Sequence, residues 1–267
     1  MPAMTQHPVG TFCWPELATK DFKSALAFYQ SLFGWGVKEN PMGPDMTYYI
    51  LTKGEHEVAA GYELNDAMMP GVPPHWGAYV SVTDVDATAA KAKQLGGEVV
   101  MEPMDVNANG RDQGRMVVLK DPVGAVFCAW QAKQHHGVGL VGEPGSLIWT
   151  QLNTSDTAKS KAFYTQLLGW SAMEMPDPST GGVYTMWMRS ADDRSGAGGM
   201  MAMPPGVGAP AHWLTYFGTT DVDATLATAM KGGATTFVPA TDIPGMGRFA
   251  VLADPQGAIF ALFKPNM

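Results

Sequence analysis

Residues 12–18, FCWPELA, alternate in the period-two manner of a half-buried strand. The spacing then changes. Phe22, Ala25, Leu26, Tyr29, Leu32 and Phe33 recur at the interval that gathers apolar side chains on one face of a helix. Asp21 or Thr19 is placed to cap its start, and Gly34 ends it at a position suited to left-handed backbone. MTYYILT (46–52) and EVAAGYE (57–63) predict two further strands. The order then restarts: a strand in WGAYVSV (76–82), a helix in DVDATAAKAKQLGG (84–97), and strands in EVVME (98–102), RMVVLK (115–120) and AVFCAW (125–130). The tetrapeptides DPVG (121–124) and DPQG (254–257) read as hairpin turns.

The whole order occurs twice. At an offset of 135, ten of the 24 positions in 12–35 are identical in 147–170, among them Trp14/Trp149, Leu17/Leu152, Asp21/Asp156, Phe28/Phe163, Tyr29/Tyr164 and Gly34/Gly169. HWGAYVSVTDVDAT (75–88) returns as HWLTYFGTTDVDAT (212–225), and GRMVVLKDPVGAVFCAW (114–130) as GRFAVLADPQGAIFALF (247–263). The length differences fall in Gly/Pro-rich loops, where insertions are tolerated. The chain thus divides into a first domain, 8–131, a linker, 132–146, and a second domain, 147–265.

Composition narrows the function classes. Apolar residues are 46% of the chain and charged residues 16%, which predicts a folded protein. A net charge of −8 without a basic cluster argues against nucleic acid. No run reaches the 18 or so apolar residues of a membrane span, and MPAMTQHPVG lacks the basic and apolar regions of a signal peptide. With 2 cysteines there is no disulfide framework, so a cytoplasmic location is expected. The 19 methionines suit adaptable apolar surfaces and core filling alike.

The motifs T-x-D…A-F-Y…L-G-W, D-V-D-A-T…G-G and D-P-x-G-A-x-F together resemble the vicinal oxygen chelate superfamily, which includes glyoxalase I, extradiol dioxygenases and the bleomycin and fosfomycin resistance proteins. The resemblance spans nearly the whole chain, once per half. The tandem form, with EPGSLIW opening the second half, is similar to two-domain glyoxalase-like proteins that carry a hydroxylase label. It implies an α+β fold of tandem glyoxalase-like domains, each two βαβββ units whose curved mixed sheets enclose a cavity. Members that use a metal bind it there.

At the positions where such members carry metal ligands, this chain has Trp14, Gly77 and Cys128 in the first half and Trp149, Leu214 and Ala261 in the second. The nearest candidate for the remaining acidic position is Glu63. Indole, glycine and aliphatic side chains donate nothing to a metal, so neither metal nor other cofactor is expected.

Strand alternation offers another constellation. Trp14 and Glu16 share a face, matched by Trp149 and Gln151; His75, Gly77, Tyr79 and Ser81 share another, matched by His212, Leu214, Tyr216 and Gly218; Val126, Cys128 and Trp130 share a third. Glu16 with His75 is the candidate acid/base pair, set against a reading in which His75 and His212 cap the loop before their strand. The candidate ligand-binding residues are Trp14, Glu16, His75, Tyr79, Cys128, Trp130, Trp149, Gln151, His212 and Tyr216. Cys13 is expected on the helix side and Cys128 on the cavity side, hence no disulfide. Arg115 and Arg248 suit either an anionic ligand or turn support, 105–114 a lid over the first cavity, and 200–210 a cover over the second.

The reading these residues favour is a metal-independent protein, resembling the drug-sequestering branch, that holds a small apolar or aromatic molecule in one or both cavities. A lyase, isomerase or oxygenase acting on a reactive aldehyde or secondary metabolite is the alternative, and a partner-binding scaffold with filled cavities a third. No nucleic-acid or membrane partner is expected; the chain is a monomer with pseudo-twofold domains or a homodimer.

Overall fold

The computed structural model describes residues 4–266 apart from 44–45, 66, 68, 109, 178–180, 191–195, 204–205 and 207. The first half runs β1 (Phe12–Thr19), α1 (Phe22–Phe33), β2 (Gly36–Gly43), β3 (Met46–Lys53), β4 (His56–Glu63), then β5 (His75–Ser81), α2 (Val85–Gln94), β6 (Glu98–Ala108), β7 (Arg111–Lys120) and β8 (Val126–Ala132). The second half repeats this as β9 (Leu147–Thr154), α3 (Thr157–Leu168), β10 (Ser171–Pro176), β11 (Val183–Met188) and β12 (Gly198–Ala202). It closes with β13 (His212–Gly218), α4 (Val222–Lys231), β14 (Thr235–Ile243), β15 (Gly247–Ala253) and β16 (Ile259–Pro265).

Local chemistry sets the helix ends. Asp21 accepts from the Ser24 N–H at 3.0 Å, and Gly34 closes α1 with φ 67°. Asp156 and Gly169 (φ 71°) do the same for α3, and Asp84 and Asp221 cap α2 and α4. A third strand follows each first helix, where the sequence pattern predicts two. β2 was hidden because it is an edge strand with Pro and Gly and little buried surface, so it shows no apolar period.

Each half is one eight-stranded curled sheet, ordered β2-β3-β4-β1-β5-β8-β7-β6 and β10-β11-β12-β9-β13-β16-β15-β14. In the first, β1 pairs antiparallel with β5 and parallel with β4. Among the described residues no helix is long and apolar enough to cross a membrane.

The helices lie between the two sheets, with α1 against α4 and α2 against α3. Both large cores therefore draw on both halves: Phe22, Tyr29, Trp35 and Trp76 pack with Phe217, Phe260 and Leu262, while Val80, Val85 and Phe127 pack with Phe163, Tyr164, Trp170 and Trp213. The repeated motifs are the contacts. The Tyr29 hydroxyl donates to Asp254 Oδ2 at 3.0 Å across the halves and accepts from Trp76 Nε1 at 2.9 Å. Trp213 Nε1 likewise donates to the Tyr164 hydroxyl, which faces Asp121, although Asp121 Oδ2 has no well-aligned donor among the described residues. Trp35 Nε1 donates to the Gly145 carbonyl and Trp170 Nε1 to the Gly10 carbonyl, at 2.8 and 3.0 Å. Close approach explains the GG pairs: a Cβ on Gly97 would stand 3.0 Å from the Phe163 ring, and one on Gly232 3.1 Å from the Phe28 ring.

Tyr29→Phe strips two buried groups of their partner, and the variant is expected to lose about 1–3 kcal/mol in urea unfolding while keeping one cooperative transition. Parental stability would show that the bridge contributes nothing net.

Candidate functional site

The face of the first sheet that turns away from the helices carries a satellite cluster: Cys13, Trp14, Ala60, Tyr79, Cys128, Trp130 and Val138, with Tyr48, Ile50, Met116 and Val118 packed against it. At its centre is Glu16. Strand pairing sets Glu16 between Ala60 on β4 and Gly77 on β5, with Trp14 opposite Tyr79. The Glu16 carboxylate accepts from the Tyr48 hydroxyl at 2.5 Å through Oε2 and from the Tyr79 hydroxyl at 2.7 Å through Oε1. Trp14 Nε1 donates to the Tyr48 hydroxyl at 2.9 Å, so indole, phenol, carboxylate and second phenol form one chain. Beside it Gly77 is partly exposed, and a Cβ built there would make only ordinary contacts, with the Glu16 carbonyl at 3.5 Å and the Tyr79 ring at 3.9 Å.

Burial, the largest influence, pushes the Glu16 carboxyl above its ordinary value, and the hydrogen bonds from Tyr48 and then Tyr79 pull it part of the way back. Tyr48 and Tyr79 are raised well above the usual phenol value, first by burial; Glu16 adds to both, and for Tyr79 the Cys128 thiol adds more. Burial also pushes Cys13 up to about 12 and raises Cys128, so both are neutral thiols, and both are free.

The second sheet keeps the frame and loses the charge. Trp149 Nε1 donates to the Tyr184 hydroxyl at 2.8 Å, and the Tyr216 hydroxyl donates to Gln151 Oε1 at 3.3 Å. Leu214 is buried in the place of Gly77, and Tyr184 lies over Gly199, where a Cβ would stand 1.8 Å from its hydroxyl. The counterpart of Gly199 is Ala60, whose methyl excludes that placement in the first sheet.

The sequence profile described as Glyoxalase/Bleomycin resistance protein/Dioxygenase superfamily matches residues 9–129 and again 146–262. The chain belongs to this superfamily. It is 40% identical over 266 residues to "Putative glyoxylase CFP32" of Mycobacterium tuberculosis, covering 99% of this chain and 98% of that one. It is 32% identical over 275 residues to the anthracycline biosynthesis protein DauV of a Streptomyces species, covering 98% and 95%. Among solved structures it shares the fold of the Mn(II)-bound glyoxalase from Novosphingobium aromaticivorans, with TM-score 0.62, 15% identity, and 96% and 83% of the two chains covered. The 2,2',3-trihydroxybiphenyl 1,2-dioxygenase of Sphingomonas wittichii matches at TM-score 0.62 and 13% identity, covering 97% and 92%.

The superfamily implies a divalent metal, and the residues here do not fit one. Trp14 offers only a donor N–H, Gly77 no side chain and Cys128 a neutral thiol, so Glu16 is the one carboxylate among these residues. Glu63 lies on the other face: it pairs with Thr19, and its Oε2 accepts from the Phe22 N–H at 3.5 Å. Tyr62, paired with Ala18, points to the Glu16 side instead. Among the described residues no group of three or more His, Cys, Asp or Glu side chains could hold a metal ion.

Other expectations need correction. Glu16 and His75 do not pair, because Glu16 engages two tyrosines and His75 Nδ1 bonds the Pro73 carbonyl at 2.9 Å. His212 bonds Pro210 in the same way, and its Nε2 accepts from Asn153. Cys13 sits with Cys128 on the curled face, because a register shift between Phe12 and Trp14 breaks the alternation that placed it on the helix side. The supposed lid at 105–114 consists of the paired ends of β6 and β7 around residue 109, which lies outside the described residues. In 200–210, residues 200–202 end β12 and Met200 is core on the helix side, while 204–205 and 207 lie outside the described residues. Arg115 and Arg248 are structural, each gripping the first turn of a helix (Asp86, Asp223) and a strand (Asp105, Asp242).

Sequence reasoning missed Tyr48 and Tyr62, whose only signal is alternation within strands, and it missed the linker. His135 packs edge-on against Trp14 at 4.3 Å and accepts from Trp130 Nε1 through its carbonyl, while the Val138 N–H bonds the Cys13 carbonyl. The linker's apolar residues Val138, Leu140 and Val141 were the signal that it docks.

A folded carboxyl value above the unfolded one means that folding favours the protonated form, so the stability Glu16 contributes is present at low pH and lost as pH rises through the folded value. Glu16→Gln should therefore gain in melting temperature relative to the parent as pH rises above about 4, the ordinary carboxyl range. A difference that does not change with pH would place the carboxyl at its ordinary value.

Proposed function

We propose that the first domain is a metal-independent binder of a small aromatic molecule. The molecule is held on the curled face of the sheet by Trp14, Tyr48, Tyr62, Tyr79 and Trp130, with Glu16 as the polar anchor. One observation carries the reading: a half-buried carboxylate fixed by two phenols stands beside Gly77, a partly exposed position with no side chain. Apolar walls with few converging polar groups are what a small-molecule site requires. The DauV relative is named for the biosynthesis of an anthracycline, a ring-fused aromatic molecule, which supports the same class. In the second domain Trp149, Gln151, His212 and Tyr216 hold the equivalent frame, with Leu214 in the space.

Glu16 alone favours a second reading, an enzyme that moves a proton. A carboxyl raised above its ordinary value by burial and held between two phenols suits general acid–base chemistry. Any turnover found on an aldehyde or aromatic substrate should fall by about a hundredfold in Glu16→Gln. Unchanged turnover removes this reading.

Tryptophan fluorescence titrated with naphthols and similar bicyclic aromatics tests the binding reading. Saturable quenching is expected in the parent and its loss in Gly77→Leu, which copies Leu214. No quenching across such a panel would overturn the proposal.

A further inference from the structure

The groups acting on Glu16 include no cation. Its two oxygens accept from Tyr48 and Tyr79, burial opposes its charge, and among the described residues no Lys, Arg or His pairs with it. Its charge in turn raises Tyr48, Tyr62, Tyr79 and Cys128, all of them acids. The neighbouring imidazole of His75 is tied to the Pro73 carbonyl.

Glu16 is half-buried, and an anion drawn partly out of water is ordinarily matched by a positive charge, because neutral donors compensate its desolvation only in part. The rings around this one have electron-rich faces, which attract cations and repel anions. The carboxylate and the rings therefore select the same sign of ligand charge. Gly77, the cross-strand partner of Glu16, puts no side chain beside the carboxylate, and both residues are only partly buried. The second domain supplies the contrast, with a neutral amide at Gln151 and a filled position at Leu214. A chain of net charge −8 also draws cations toward it.

We propose that the first-domain site takes an organic cation, an aromatic or apolar molecule whose protonated or quaternary amine sits over Gly77 against Glu16. This rests on the aromatic-binding reading above and adds the charge of the ligand. The carboxylate neutralises the amine, the phenols of Tyr48 and Tyr79 keep the carboxylate oriented, and the rings contact the apolar body.

The test is a matched pair of probes, phenyltrimethylammonium and its neutral isostere tert-butylbenzene, titrated calorimetrically and by tryptophan quenching into the full chain. The cation is expected to bind at least about tenfold more tightly than the isostere. Glu16→Gln, which copies Gln151, should weaken the cation at least about fivefold more than it weakens the isostere. Gly77→Leu should abolish binding of both with Glu16 intact. Equal affinity for the two probes in the parent, or a preference undiminished in Glu16→Gln, overturns the cation inference and leaves the aromatic-binding reading standing. If neither probe nor any neutral aromatic binds the parent, both fall.

Discussion

A phenol hydroxyl buried between an indole N–H and a carboxylate is satisfied only when all three elements are in place together. Tyr29 is such a hydroxyl, and its carboxylate, Asp254, belongs to the opposite half. That requirement orders the rest of the molecule. α1 must lie against the final turn of the second sheet, which brings Phe28 onto Gly232 and Trp35 onto the Gly145 carbonyl. With the helices spent on one another in the middle, each sheet curls away from its partner. Among the described residues, the two curled faces are the sheet surfaces that the helices leave uncovered.

The fold was legible because its signals are local. Capping aspartates, closing glycines and apolar faces at helical spacing mark each unit without reference to anything distant. The repeated motifs announced a duplication but not their use: nothing in AFY or DPQG says that the Tyr of one copy will bond the Asp of the other. The site was half legible. Alternation put Trp14, Glu16 and Tyr79 on one face, and pairing agrees. Alternation failed at Cys13, where an irregular register adds a residue, and it could not supply Tyr48, which reaches Glu16 from a strand two places away in the sheet. Cross-strand neighbours are set by register, and register is not written in either strand alone.

The two copies have diverged in a way that pairwise chemistry explains. Alanine at position 60 keeps Tyr48 upright against Glu16, whereas glycine at 199 lets Tyr184 lie down on the sheet. Leucine at 214 then fills what glycine at 77 leaves open. The interlocking motifs stay the same in both halves because each must fit the other, while the curled faces carry no such mutual constraint.

The linker bears on that divergence. Its residues 135–139 run over the rim of the first curled face, seated on Trp14 and tied to Cys13 and Glu57. A connection between two copies exists once, so it can overhang one face and not its twin. Joining the copies end to end therefore sets them apart independently of their side chains, because the rim of the first copy is drawn from the segment that leads to the second.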